Sequence, residues 1–128
     1  DPNRVALLLA MLEKRAGMHL LGTDVYVNVA GGISISEPAL DLALVGAVVS
    51  SFNDKALPPD TVVFGEVGLA GEVRAVNLAQ TRVKEASNLG FRRVLLPAGN
   101  LPLAEPTQNL ALQGVSSIND FLQSIDFW

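Results

Sequence analysis

Few side chains in this sequence could carry chemistry. Glu37 and Asp41 stand four residues apart at the head of a helix pattern, where two carboxylates share a face and could divide acid and base work. Acids at that position more commonly serve to favour a helix N-terminus. Asp41 lies one turn in, among apolar residues, and there a carboxylate needs a partner. Ser34, Ser36, Ser50 and Ser51 are possible nucleophiles, yet no spacing nominates a base for any of them. Ser36 reads most simply as a helix cap, and Ser50 and Ser51 fall where the same helix ends. His19 is the single histidine, with no carboxylate cluster near it in sequence, and reads as a surface residue. There is no cysteine, which excludes disulfides, Cys-ligated zinc and thiol catalysis. No metal or cofactor site is expected in this chain.

Two groups could touch phosphate. Gly65, Gly68 and Gly71 form a glycine-rich run, but Glu72-Val73 follows it where a phosphate loop needs a helix start. Hairpin glycines are the better reading. The basic residues are scattered. Arg92-Arg93 is the one adjacent pair, and Arg82 and Lys84 lie on the preceding helix pattern. A solvated face is the default for such residues, and a DNA-phosphate patch of Arg82, Lys84, Arg92 and Arg93 is the sharper alternative.

The elements that must position these residues follow from periodicity. Val5, Leu8, Leu9 and Leu12 predict an amphipathic helix over 3–16, stopped by Gly17. Val25, Val27 and Val29 alternate in a strand over 24–30, broken by Gly31-Gly32. Pro38 suits a first helical turn, and the nearly unbroken apolar run from Ala39 to Val49 predicts a central helix buried all round. Residues 61–66 read as a strand, 65–73 as a hairpin and 77–89 as a second amphipathic helix. Residues 93–97 read as a short buried strand and 110–113 as a last one. Ser116 or Ser117 caps a final helix carrying Ile118, Phe121, Leu122 and Ile125. This order predicts one mixed α/β domain of the α+β class spanning 1–128.

Composition sets the outer bounds. Of 128 residues, 49% are hydrophobic, enough for one sizeable core, and 17% are charged, which excludes a disordered chain. Nine Lys and Arg face thirteen Asp and Glu, for a formal net charge of -4. Autonomous nucleic-acid binders carry a basic excess, so any binding here needs a local patch. The longest apolar stretch, Leu42 to Val49, is too short to span a bilayer, and no signal peptide is recognisable. No membrane partner and a cytoplasmic location are expected. Asp1-Pro2-Asn3-Arg4 runs straight into the first helix without an initiator Met, so the chain is expected to be a fragment of a longer protein.

From Glu37 to Pro97 the chain resembles the proteolytic domain of the Lon family. That family has Gly-Pro-Ser-Ala-Gly, with the nucleophilic Ser, where this chain has Glu37-Pro38-Ala39-Leu40-Asp41. It has Thr-Gly-Glu-Ile in place of Phe64-Gly65-Glu66-Val67. It has Gly-Gly-Leu-Lys-Glu-Lys, with the second Lys as base, in place of Asn77-Leu78-Ala79-Gln80-Thr81-Arg82. Its next helix end and strand match Leu89-Gly90-Phe91 and Val94-Leu95-Leu96-Pro97. The resemblance implies a Lon-proteolytic-domain-like fold, related in outline to domain 2 of ribosomal protein S5. It places the two dyad positions at Ala39 and Arg82. Ala39 has no hydroxyl, and Arg82 stays protonated and cannot act as a base. The chain is therefore expected to be no enzyme but a degenerate Lon-type peptidase domain. The resemblance also brings Arg82 against the head of the central helix, which implies an Arg82–Asp41 ion pair, with Glu37 as the alternative acceptor.

The whole chain is more closely similar to the C-terminal domain of the RadA (Sms) family of bacterial DNA-repair proteins. The similarity rests on the Asn3-Arg4 opening with its Leu/Ala helix, on the segment from Asp24 to Gly32, and on that from Phe64 to Glu72. It implies a hexameric ring in the longer protein, with ATP and zinc held only in parts ahead of this domain. It further implies self-association and engagement of single-stranded or branched DNA in recombinational repair. A Lon-class peptidase with unorthodox residues and a purely structural oligomerisation domain are the rival readings.

Overall fold

The computed structural model describes residues 2–17 and 37–126. The strand expected at 24–30, its Gly31-Gly32 break, His19, Ser34 and Ser36 lie outside them. Helix α1 (Pro2–Ala16) leads, and a 3-10 turn (Pro38–Leu40) opens into α2 (Asp41–Asn53). Then come β1 (Thr61–Val63), β2 (Glu66–Val67), β3 (Val73–Arg74), α3 (Ala79–Asn88), β4 (Arg93–Pro97), β5 (Ala111–Val115) and α4 (Ile118–Asp126). The class is the expected mixed α/β one.

Strands β1, β4 and β5 form a parallel sheet in that order, with Val62 beside Val94 and Val94 beside Leu112. The central strand β4 is covered on both faces, which explains its unbroken apolar sequence. Val94 and Leu96 face Val83 and Ala86 of α3. Leu95 faces the larger core built by Leu12 of α1, Leu42 and Val45 of α2, and Phe121 of α4. Helix α4 starts on reciprocal caps: Ser117 Oγ accepts from Asp120 N at 3.0 Å, and the Asp120 carboxylate accepts from Ser116 N at 2.8 Å.

Two expectations are corrected. The strand predicted at 61–66 ends at Val63, and the chain leaves the sheet at Phe64-Gly65. The cause is a stitch to the head of α2: Gly65 N donates to Ala39 O at 2.8 Å, and Leu42 N donates to Gly65 O at 3.0 Å. Gly65 has φ of 155°, and a Cβ there would press on Val73, Pro97 and Leu42 at 3.1–3.3 Å, so the loop needs glycine. Nor is α2 buried all round. Leu42, Val45, Val48 and Val49 turn inward, whereas Ala47 is exposed and Leu40, just ahead of the helix, is 39% exposed.

Candidate functional site

The polar residues singled out at the head of α2 do meet there, in two separate pairs. Asp41 is 4% exposed. Its carboxylate accepts from Val67 N at 3.0 Å and from Arg4 Nε at 3.1 Å, and Arg4 Nη2 closes the salt bridge on the other oxygen. Arg4 Nη2 also donates to Val67 O at 3.0 Å. Helices α1 and α2 and strand β2 are thus tied through one carboxylate. Its hydrogen bonds raise the pKa of the Arg4 guanidinium above the already high ordinary value, against the opposing effect of burial. With both oxygens engaged this way, Asp41 serves to join these elements.

The expected Arg82–Asp41 pair does not form. Arg82 goes to the alternative acceptor, with Nη2 3.5 Å from Glu37 Oε1. Its Nε donates to Asn77 O at 3.0 Å, and Nη2 donates to Asn77 Oδ1 at 3.0 Å. The physical reason is competition. Arg4 reaches the buried carboxylate from the adjacent α1, while Asn77 holds Arg82 on the outer side. Glu37 Oε1 also accepts from Ala39 N at 3.2 Å, so positions 39 and 82 share one carboxylate oxygen. Ala39 itself is 2% exposed and contributes only its peptide group and packing.

The remaining candidates lie on α3, at the end of α2, at the start of β4 and in the β2–β3 hairpin. Lys84 and Arg92 are exposed and Arg93 is half-buried, and among the described residues none of the three makes an ion pair. The backbone N–H groups of Arg92 and Arg93 both donate to Asp60 O, at 2.9 and 3.1 Å. Ser50 closes the end of α2, its hydroxyl donating to Lys55 O at 2.5 Å. The Gly65–Gly71 run leads into the β2–β3 hairpin, where Gly71 N donates to Gly68 O at 3.0 Å. Glu72 braces that turn. It accepts from Ala70 N at 3.1 Å and from Arg74 Nη2 at 2.9 Å, and the Arg74 bond holds its carboxyl below the usual range. Among the described residues no group of three or more His, Cys, Asp or Glu could hold a metal. No helix among them is long and apolar enough to cross a membrane.

Sequence reasoning missed Arg4 as the partner of Asp41 and Asn77 as the orienter of Arg82. The first had a signal. A lone acid in an apolar helix demands a cation, and Arg4 is the one base at the N-terminal end of the apolar first helix. The second pairing spans five residues and depends on Leu78 adopting φ of 58°, which nothing in its residue type suggests.

A family model described as subunit ChlI of Mg-chelatase matches residues 4–100. The chain is 47% identical over 126 residues to the DNA repair protein RadA of Escherichia coli, covering 98% of this chain and 27% of that protein. Against that of Bacillus subtilis it is 46% identical over 124 residues, covering 97% and 27%. Against that of Aquifex aeolicus it is 57% identical over 97 residues, covering 76% and 22%. The chain therefore spans about a quarter of the length of these relatives. The matches overturn the expectation of a degenerate Lon-type peptidase domain that is no enzyme, because the family model is that of a Mg-chelatase subunit and the relatives are DNA repair proteins. That expectation rested on Ala39 and Arg82, and the loss of one chemistry at two positions says nothing about another.

Proposed function

Because the chain belongs to the family whose model is described as subunit ChlI of Mg-chelatase and is homologous to the RadA proteins, we propose a role in a RadA-type DNA-repair ATPase of the bacterial cytoplasm: this is its assembly and DNA-engaging region. The observation that carries the reading is identity of 47% to a DNA repair protein along 98% of the chain. The chain has no cysteine, and zinc, ATP and assembly into a hexameric ring all belong to the proposal for the longer protein.

Lys84, Arg92 and Arg93, which pair with no acid among the described residues, are the cations this reading assigns to DNA phosphate. The net charge of -4 makes the summed field of one copy repel phosphate, so one such cluster binds weakly. Copies facing a shared bore multiply the contacts through effective concentration. Fluorescence anisotropy over a salt series tests this. The 128-residue chain should bind single-stranded DNA poorly at physiological salt, and the longer protein should bind it well. Neutralising Arg92 and Arg93 in the longer protein should flatten the salt dependence, because fewer counterions are released. An unchanged slope with undiminished affinity would reject the DNA assignment in favour of a purely structural oligomerisation role.

A further inference from the structure

Arg82 is oriented before any ligand arrives. Asn77 takes its Nε and Nη2 through a backbone oxygen and a side-chain oxygen, each at 3.0 Å, and so fixes the plane of the guanidinium. The side chain is 26% exposed, and part of its five-donor fork remains directed away from Asn77. Among the described residues the acid paired with it is Glu37, at 3.5 Å and 43% exposed. Charge-assisted bonds of this type close to about 2.7–2.9 Å, and exposed pairs contribute about 0–1 kcal/mol. Glu37 is thus a loosely held oxyanion before a pre-oriented guanidinium, in the place a phosphate oxygen would take. The same Oε1 accepts from Ala39 N at 3.2 Å, so the carboxylate can cap the helix head alone once a phosphate has taken its place on Arg82. The exchange requires no unfolding. Among Arg82, Lys84, Arg92 and Arg93, only Arg82 is paired with an acid of the described residues.

We propose that Glu37 is an internal competitor for Arg82, displaced by a backbone phosphate when single-stranded nucleic acid binds. The proposal rests on the DNA-engaging reading above. Its test is anisotropy of a fluorescein-labelled oligothymidylate at low ionic strength, titrated with this chain and its variants. Glu37→Gln keeps the oxygen that caps Ala39 N and removes the competing charge. It should bind severalfold tighter than the unmodified chain, with a salt slope steeper by about 0.7, the value for one added phosphate contact on a single strand. Glu85→Gln makes the same charge change on the exposed side of α3 and should leave the slope unaltered. Adding Arg82→Gln to Glu37→Gln should abolish the gain. A gain that survives Arg82→Gln, or one no larger than that of Glu85→Gln, overturns the competition. If the competition fails while neutralising Arg92 and Arg93 in the longer protein still flattens its salt dependence, the DNA reading stands without it; if no variant of this chain binds the oligonucleotide even at low ionic strength, the competition falls, and an unchanged slope in the longer protein overturns the DNA reading as well. Inorganic phosphate at matched ionic strength should displace the oligonucleotide equally from the unmodified chain and from Arg82→Gln. A displacement that depends on Arg82 would assign the site to free phosphate and overturn the nucleic-acid proposal.

Discussion

At the scale of single residues, two arginine–carboxylate pairs lie at the head of one helix and differ in what surrounds them. Asp41 is 4% exposed and meets both Arg4 and the Val67 N–H. Removing Arg4 leaves a buried carboxylate without its counter-charge, so Arg4→Ala should destabilise the fold by about 3 kcal/mol. Arg82 and Glu37 are exposed enough for water to replace either partner, and Arg82→Ala should cost no more than about 1 kcal/mol. Urea denaturation of the two variants checks the order, and a costlier Arg82→Ala would refute it. Glu72 offers a pH test. Its folded pKa is depressed, first by the Arg74 hydrogen bond, so its contribution is present above the ordinary carboxylate value of about 4.3. It is lost as the pH falls through the lower folded value. Glu72→Gln should therefore lower stability at neutral pH, and the deficit should vanish in acid; a deficit that grows in acid would contradict the assignment.

Among the elements, the loop between β1 and β2 is tightly constrained. Gly65→Ala should cost about 2 kcal/mol, because a Cβ meets three packed side chains at 3.1–3.3 Å on a backbone of φ 155°. Leu78 presents the opposite case. It holds φ of 58° at the start of α3 while its side chain is 65% exposed. Asn tolerates that conformation better than Leu, so Leu78→Asn should leave stability unchanged or raise it by up to about 1 kcal/mol. A loss of more than that on thermal melting would mean the Leu78 side chain supports the fold despite its exposure. Both loops shape the proposed site: one fixes the head of α2, and the other carries Asn77, which holds Arg82.

At the scale of the whole molecule, the described residues place a core on each face of the three-stranded sheet, joined through β4. Val94 packs toward α3 and Leu95 toward α1, α2 and α4, at 0% and 1% exposure. Because one strand serves both cores, Val94→Ala and Leu95→Ala should each lower the midpoint of a single unfolding transition. Separate calorimetric transitions for the two variants would show that the faces unfold independently. Of the basic candidates, Lys84 sits on α3, which covers one face, and Arg92 and Arg93 sit where β4 begins.

Local pattern by itself determined most of the element order. The apolar spacing of α1, the run through α2 and the Ser117 cap of α4 are short-range features, and each depends on neighbours within a turn or two. The need of Asp41 for a partner was equally legible, since burial of a carboxylate is costly whatever surrounds it. Which partner it takes was settled only in three dimensions. Arg4 lies 37 residues away, and α1 must pack on α2 before the two meet. Gly65 ends β1 early for the same kind of reason, because its hydrogen bonds go to Ala39 and Leu42, more than a helix length earlier in the chain. Long-range pairing depends on which surfaces fit together, and residue types along the chain do not encode that directly. The tertiary structure therefore decided that Glu37, and not Asp41, faces Arg82.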